Sequence, residues 1–307
     1  MKKVLVAERL DPAGVELLRQ HFDVDVREQT PEDELAAIIG DYDGLMIKTY
    51  TRVSAQVIDR ASRLKVIARA GSGLDKVDVP YAQGKGIVVR NTPEANVVSV
   101  AELVFSLMLA VSRRVAAADR YVRSREGWDR DRFTGVELAG KTLGIVGFGH
   151  IGKLVAVRAH AFDMQVRCFD PFVEAPAMAE HGVGKVEALD DLLGEADYLT
   201  LHVPLVDATR HLLSHAQFRR MKPGAIVINT ARGPVVDEAA LVKALQDGEI
   251  AGAGLDVYEA EPPQSAELLA LDNLVLTPHI GAATHEALRR MTVQAAEVIV
   301  ETLAGNG

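Results

Sequence analysis

The stretch Leu143-Gly144-Ile145-Val146-Gly147-Phe148-Gly149-His150-Ile151-Gly152 constrains the fold of this chain more than any other. An uncharged, β-prone run passes directly into Gly-x-Gly-x-x-Gly and then into a helical pattern from Lys153. Each glycine has a steric reason: the first makes the tight turn, the second lets backbone approach a pyrophosphate, and the third lets helix pack on strand. The helix N-terminus adds free amides and partial positive charge for phosphates. Gly147, Gly149, His150, Ile151 and Gly152 are therefore cofactor-binding candidates. Asp170 ends the next β-rich run, 18 residues past Gly152. A carboxylate there either accepts both ribose hydroxyls and repels a 2′-phosphate, which favours NAD over NADP, or simply closes an Asp-Pro turn with Pro171.

The rest of the chain alternates in the same way. In the first ninety residues the runs Val4-Leu5-Val6-Ala7, Val24-Asp25-Val26, Gly44-Leu45-Met46-Ile47, Val66-Ile67-Ala68 and Ile87-Val88-Val89 are separated by helical patterns at 11–21 and 31–39. Pro12 and Pro31 each follow a capping-type residue, Asp11 and Thr30. A long helical pattern from about Val97 to Val122, apolar nearly all round at first, is predicted to be buried. Six further strands are predicted at 142–147, 165–169, 198–202, 225–229, 252–257 and 274–277, followed by a helix from Thr284 to Leu303 and a frayed end at Gly305-Asn306-Gly307. Strand and helix in alternation mean parallel sheets covered on both faces.

At 307 residues the chain has room for two domains. Its 34 Lys and Arg against 43 Asp and Glu leave a formal charge of −9, which repels a nucleic acid backbone. The longest uncharged apolar tract runs for ten residues from Leu103 to Ser112, against the roughly 20 a bilayer span needs, so no membrane partner is expected. The single cysteine, Cys168, makes neither an intramolecular disulfide nor a cysteine metal cluster; no metal site is expected, and a reducing, cytoplasmic setting is.

Three residues at predicted strand ends carry chemistry: Arg232 in Asn229-Thr230-Ala231-Arg232-Gly233, Glu261 in Glu259-Ala260-Glu261-Pro262, and His279 in Pro278-His279-Ile280-Gly281. Ligands of open α/β sheets lie beyond the carboxyl ends of the strands. Reduction of a 2-oxo acid needs a cation for the carboxylate, which a guanidinium meets with two parallel hydrogen bonds. It also needs a proton donor near neutral pH, which an imidazole beside a carboxylate provides. The same residues serve blander ends elsewhere, a surface histidine or an arginine that caps a helix, and spacing alone leaves both readings open.

With these motifs stand Ala68-Arg69-Ala70-Gly71-Ser72-Gly73-Leu74-Asp75, Asn91-Thr92-Pro93 through Asn96 to Ala101-Glu102-Leu103, and Gly254-Leu255-Asp256-Val257. Together they resemble the D-2-hydroxyacid dehydrogenase family, most of all its D-3-phosphoglycerate dehydrogenase branch, over nearly the whole chain. The resemblance implies two doubly wound α/β domains, a flavodoxin-like substrate domain (1–98 plus 284–307) and a Rossmann NAD-binding domain (99–283). It implies that Arg232 binds substrate, that His279 is the acid/base and that Glu261 pairs with it. It further implies contacts of Asp256 and Thr209 with the cofactor, and of Lys48, Arg69, Ser72, Gly73 and Asn96 with substrate. Dimerisation is the family's habit, with a tetramer as a further step, and Trp128 suits either an interface or a core.

Two departures bear on the substrate, a small 2-hydroxy or 2-oxo acid. Lys48-Thr49-Tyr50-Thr51 stands where phosphoglycerate enzymes commonly show Arg-Ser-x-Thr, so the bidentate fork is lost although a point charge remains. Arg69, or Arg130 or Arg132 from a second subunit, keeps an anionic distal group plausible. No C-terminal regulatory domain is expected, only the catalytic part. The expected substrate pair is 3-phosphoglycerate and 3-phosphohydroxypyruvate, with hydroxypyruvate, glyoxylate or a 3-sulfo analogue next. An NAD(H)-sensing, corepressor-like binding protein is the alternative of another class.

Overall fold

The computed structural model describes residues 1–125 and 127–305. The chain divides into two units, Met1–Ser99 together with the chain from Ala282 onward, and Val100–Gly281. Asn306 and Gly307, part of the end read as frayed, lie outside the described residues.

The first unit is a five-stranded parallel sheet of β1 (Lys3–Val6), β2 (Asp23–Val26), β3 (Gly44–Ile47), β4 (Val66–Arg69) and β5 (Val88–Asn91) in the order β2-β1-β3-β4-β5. This is the flavodoxin-type order. Successive side chains of the inner strands point to opposite faces, and both faces are covered. Leu5, Leu45 and Ile67 pack with Leu35, Ile39 and Val57. Val4, Val6, Met46 and Val66 pack with Leu18, Met291, Ala295 and Ile299. Two covered faces are why these strands read as unbroken apolar runs rather than as an alternation.

The second unit has seven parallel strands: β6 (Thr142–Val146), β7 (Gln165–Phe169), β8 (Gly184–Lys185), β9 (Tyr198–Leu201), β10 (Ile226–Asn229), β11 (Gly252–Leu255) and β12 (Leu274–Leu276). Their order is β12-β11-β10-β9-β6-β7-β8, the dinucleotide-binding order extended by one strand. The chain reverses direction across the sheet between β6 and β9, beside the glycine loop, where such sheets bind their ligand.

Three sequence expectations are corrected. The second sheet has a seventh strand, β8, whose two residues are too short for any periodic signal. The helical pattern from Val97 is two helices, Val97–Ser112 and Val115–Ser124, because Arg114 adopts a left-handed conformation, φ 51°, that no helix interior accepts. Thr30 does not cap the helix Glu32–Ile38; its hydroxyl donates to the Ala7 carbonyl instead, whereas Asp11 does cap Pro12–Arg19 by accepting from the Ala13 amide.

Candidate active site

The glycine loop in the second unit meets the steric demands its spacing implies. Gly147 has φ 95°, and a β-carbon there would stand 2.7 Å from the His202 carbonyl oxygen. A β-carbon on Gly152 would lie 2.3 Å from the Gly147 oxygen, so the helix rests on the turn itself. At Gly149 a β-carbon would meet nothing within 4 Å, leaving the open space a phosphate needs. The helix begins at His150 rather than Lys153, so the amides of His150, Ile151 and Gly152 form its first turn, and Gly149 brings no capping side chain to compete for them.

Asp170 is tied to this loop. Its Oδ2 accepts the Phe148 amide at 2.8 Å and its Oδ1 the Phe172 amide at 2.9 Å. Each oxygen keeps a further lone pair, the requirement for accepting ribose hydroxyls. These residues fit an NAD dinucleotide. Thr209 is half-buried, and its hydroxyl is engaged in its own turn, donating to the carbonyls of Pro204 at 2.6 Å and Val206 at 3.1 Å and accepting from the Val206 amide.

Three loops beyond β10, β11 and β12 carry Arg232, Glu261 and His279, and close contacts lock them together. Asn229 shapes the first, its Oδ1 accepting the Ala231 amide and its Nδ2 donating to the Arg232 carbonyl, each at 3.0 Å. Gly233 presses on the second, since a β-carbon there would lie 1.8 Å from the Tyr258 oxygen. Tyr258 Oη donates to the Thr277 carbonyl at 2.9 Å, joining the second loop to the third. Burial first, and the Asp256 carboxylate next, push this phenol up to about 12, so it stays a donor at physiological pH.

His279 Nδ1 stands 2.9 Å and 3.0 Å from the two Glu261 carboxylate oxygens. Both side chains are 42% exposed, so the pair is open to a ligand. His279 has φ 54°, strained for a residue with a β-carbon. Asp256 holds that conformation. It is 1% exposed; its Oδ1 accepts the Ile280 amide at 2.8 Å and the Thr277 hydroxyl at 2.6 Å, and its Oδ2 the Gly281 amide at 2.8 Å. Arg232 is half-buried, with Nη1 donating to the Ala231 carbonyl at 2.7 Å.

The substrate-binding candidates gather at the strand ends of the first unit. Lys48 follows β3, and Arg69 ends β4 in register with Ile47. The Arg69 guanidinium covers Gly71, where a β-carbon would lie 1.6 Å from its Nη1. Ser72 Oγ donates to Asn96 Oδ1 at 2.9 Å, and the Gly71 amide donates to the Thr92 hydroxyl at 2.7 Å, so the Arg69–Gly73 loop is bound to 92–96.

Sequence reasoning missed three residues. Glu8 grips the Lys48 loop through backbone amides. His202, beside Gly147, bonds the Thr200 hydroxyl at 3.0 Å, and burial pushes its imidazole down to about 3, which keeps it neutral. His211 Nε2 lies 2.9 Å from Glu259 Oε1, bracing the Thr209 turn against the segment that carries Glu261. Contacts made across the fold distinguish Glu8 and His211, and burial distinguishes His202, from ordinary acidic or histidine residues.

Comparison with known proteins agrees with this geometry. Residues 105–281 match the model of the D-isomer specific 2-hydroxyacid dehydrogenase NAD-binding domain. A D-3-phosphoglycerate dehydrogenase of Methanocaldococcus jannaschii is 44% identical over 99% of this chain but 58% of its own length, so the chain spans little more than half of that relative. A hydroxypyruvate reductase of Thermotoga maritima is 45% identical over 98% of both chains. The crystal structure of D-lactate dehydrogenase from Aquifex aeolicus, complexed with NAD and lactic acid, superposes with a TM-score of 0.88 at 29% identity, covering 99% of this chain and 96% of that one. The chain belongs to the D-isomer specific 2-hydroxyacid dehydrogenase family.

Proposed function

We propose that this protein is an NAD-dependent oxidoreductase that interconverts a D-2-hydroxy acid and its 2-oxo acid, with 3-phosphoglycerate and 3-phosphohydroxypyruvate as the substrate pair. The observation that carries the reaction class is the His279–Glu261 pair, 2.9 Å apart and open to a ligand. With Nδ1 held by Glu261, Nε2 is the ring nitrogen that takes the C2 hydroxyl proton in oxidation and returns it in reduction. Glu261 fixes the imidazole's orientation and stabilises its charged form. Arg232 binds the substrate carboxylate. Gly147, Gly149, His150, Ile151, Gly152 and Asp170 hold the dinucleotide, which supplies the hydride acceptor and donor at its nicotinamide ring.

The first unit is assigned as the substrate-binding domain, with Lys48 and Arg69 as cationic contacts for the distal group and Ser72, Gly73 and Asn96 as polar contacts. Two neighbouring cations favour a phosphorylated substrate. The lysine in place of an arginine, together with the 45% identity to a hydroxypyruvate reductase, supports hydroxypyruvate as the second reading. A panel of 2-oxo acids assayed by loss of NADH absorbance separates the two. Faster turnover of hydroxypyruvate than of 3-phosphohydroxypyruvate overturns the first, and no turnover of any 2-oxo acid overturns the reaction class.

A homodimer is the proposed assembly, and the segment after Ser112 its contact. Val115, Val122, Trp128 and Val136 are 53%, 57%, 80% and 48% exposed, a density of bare apolar side chains that favours cover by a second copy. Light scattering of the purified protein, with Trp128→Ala as the disrupting variant, tests it. The buried thiol Cys168 suits a reducing compartment, and the cytoplasm is the proposed location. Among the described residues no helix is long and apolar enough to cross a membrane.

A further inference from the structure

Glu8, two residues past β1 in the first unit, is 2% exposed, and four consecutive backbone amides close on its carboxylate. The Lys48 amide donates to Oε1 at 3.0 Å, the Thr49 amide to Oε2 at 2.9 Å, the Tyr50 amide to both oxygens at 3.0 and 3.1 Å, and the Thr51 amide to Oε1 at 2.8 Å. Successive amides converging on one point form an anion-binding concavity. Here the chain's own carboxylate fills it. A buried carboxylate is costly unless hydrogen bonds replace its water, and charge-assisted bonds of this kind are about twice as strong as neutral ones. Burial pushes the Glu8 carboxyl up, and the four amides more than offset it, so Glu8 stays below the usual carboxylate range and is ionised.

Residues 48–51 lie outside any regular element, and Glu8, some 40 positions away in the chain, supplies their shared acceptor. The Lys48 ammonium is placed between opposing influences. Desolvation depresses its pKa, the Glu8 charge supports the cation, and Arg69 opposes it. Every amide of the loop points at Glu8, so a ligand meets side chains there and not backbone donors.

We propose that Glu8 is a positioning residue for substrate recognition: it fixes the Lys48–Thr51 loop, sets where the Lys48 ammonium stands beside Arg69, and leaves the substrate's distal anion to be read by those two side chains alone. The proposal rests on the assignment of Lys48 and Arg69 to the distal group.

The test is a double-mutant cycle on the full chain, with wild type, Glu8→Gln, Lys48→Met and the double variant assayed with 3-phosphohydroxypyruvate and NADH. Glu8→Gln keeps one acceptor oxygen but places an NH2 among amide donors and loses the charge, so the full set of bonds to the loop cannot form. Its KM is expected to rise about 10-fold or more with kcat within about 3-fold, and its NADH dissociation constant to stay unchanged. In the Lys48→Met background the further loss should be under about 3-fold, because the two residues act as one unit. An unchanged KM, or the full 10-fold penalty in both backgrounds, overturns the proposal. If Glu8→Gln does not fold, Glu8→Asp takes its place, with an intermediate KM expected and a wild-type KM overturning. Hydrogen exchange provides a readout independent of activity: the 48–51 amides should exchange about 10-fold faster or more in the variant while the sheet core stays protected. Unchanged exchange there overturns the proposal whatever the activity, whereas a wild type that turns over other 2-oxo acids but not 3-phosphohydroxypyruvate, with the expected exchange, overturns only the substrate assignment.

Discussion

His279 Nδ1 lies 2.9 Å from Glu261 Oε2, and the two residues sit on different loops, beyond β12 and β11. In the proposed role this bond leaves Nε2 as the ring nitrogen available to substrate. His279→Ala should lower kcat about 100- to 10,000-fold, the usual worth of a positioned acid/base, with NADH affinity intact. Glu261→Gln should cost about 10-fold or more, since an amide orients the ring without stabilising imidazolium. Stopped-flow turnover and fluorescence titration of NADH check both, and equal losses in kcat and NADH affinity contradict the role.

Asp256 separates two roles. Its carboxylate makes three hydrogen bonds to the segment that carries His279. Asp256→Asn should therefore lower kcat with NADH affinity within about 3-fold, and should cost about 1–3 kcal/mol in stability from the unmatched buried donors. A kcat close to wild type with strongly weakened NADH binding would instead favour direct contact with the cofactor.

The glycine loop predicts opposite outcomes for two similar changes. Gly152→Ala must displace the Gly147 carbonyl, at 2.3 Å, and should cost about 1–3 kcal/mol of stability, the penalty of overpacking. Gly149→Ala meets no protein atom within 4 Å and should unfold at nearly the wild-type temperature while losing NADH affinity. Calorimetry beside NADH titration tests the pair.

Asp170 accepts amides from Phe148 and Phe172 and so presents a fixed negative charge beside the loop. Asp170→Ser removes that charge and should narrow the NADH over NADPH preference. The ratio of kcat/KM with the two cofactors measures it.

Acid should destabilise the protein in a defined window. Glu8, Asp197 and Asp237 titrate below the usual carboxylate range when folded. Burial opposes this in each case; the Thr142 amide and Lys222 ammonium prevail at Asp197, and the Ala240 amide and Ser214 hydroxyl at Asp237. The unfolded chain protonates these carboxylates near pH 4, their ordinary range, and the folded chain only below that. The stabilisation is therefore complete above about pH 5 and is lost as pH falls through the folded values. Thermal unfolding midpoints should begin to fall below about pH 6.5, where the unfolded chain protonates His202 and the folded chain does not, and should fall more steeply below about 4, where Glu8→Gln should show a shallower decline.

Local patterns along the chain were enough for β6 with its glycine loop, the inner strands of both sheets and the helix His285–Ala304, because covered parallel strands and turn glycines leave their mark in neighbouring residues. Arg232, Glu261 and His279 stood out as candidates because each lies in a short motif at a strand end, but spacing alone left their roles open and only the family resemblance assigned them. Contacts between distant residues left no such mark. The break at Arg114 and the two-residue strand β8 escaped detection because propensity is a weak signal over so few positions. Glu8 looked like any acidic residue after a strand, yet its partners lie 40 to 43 positions away. Asp256 likewise finds its partners 21 to 25 residues further on. Hydrogen bonds of this range exist only after the strands have paired, so the candidate residues were marked in the chain by local motifs while the contacts that hold them in place came from folding.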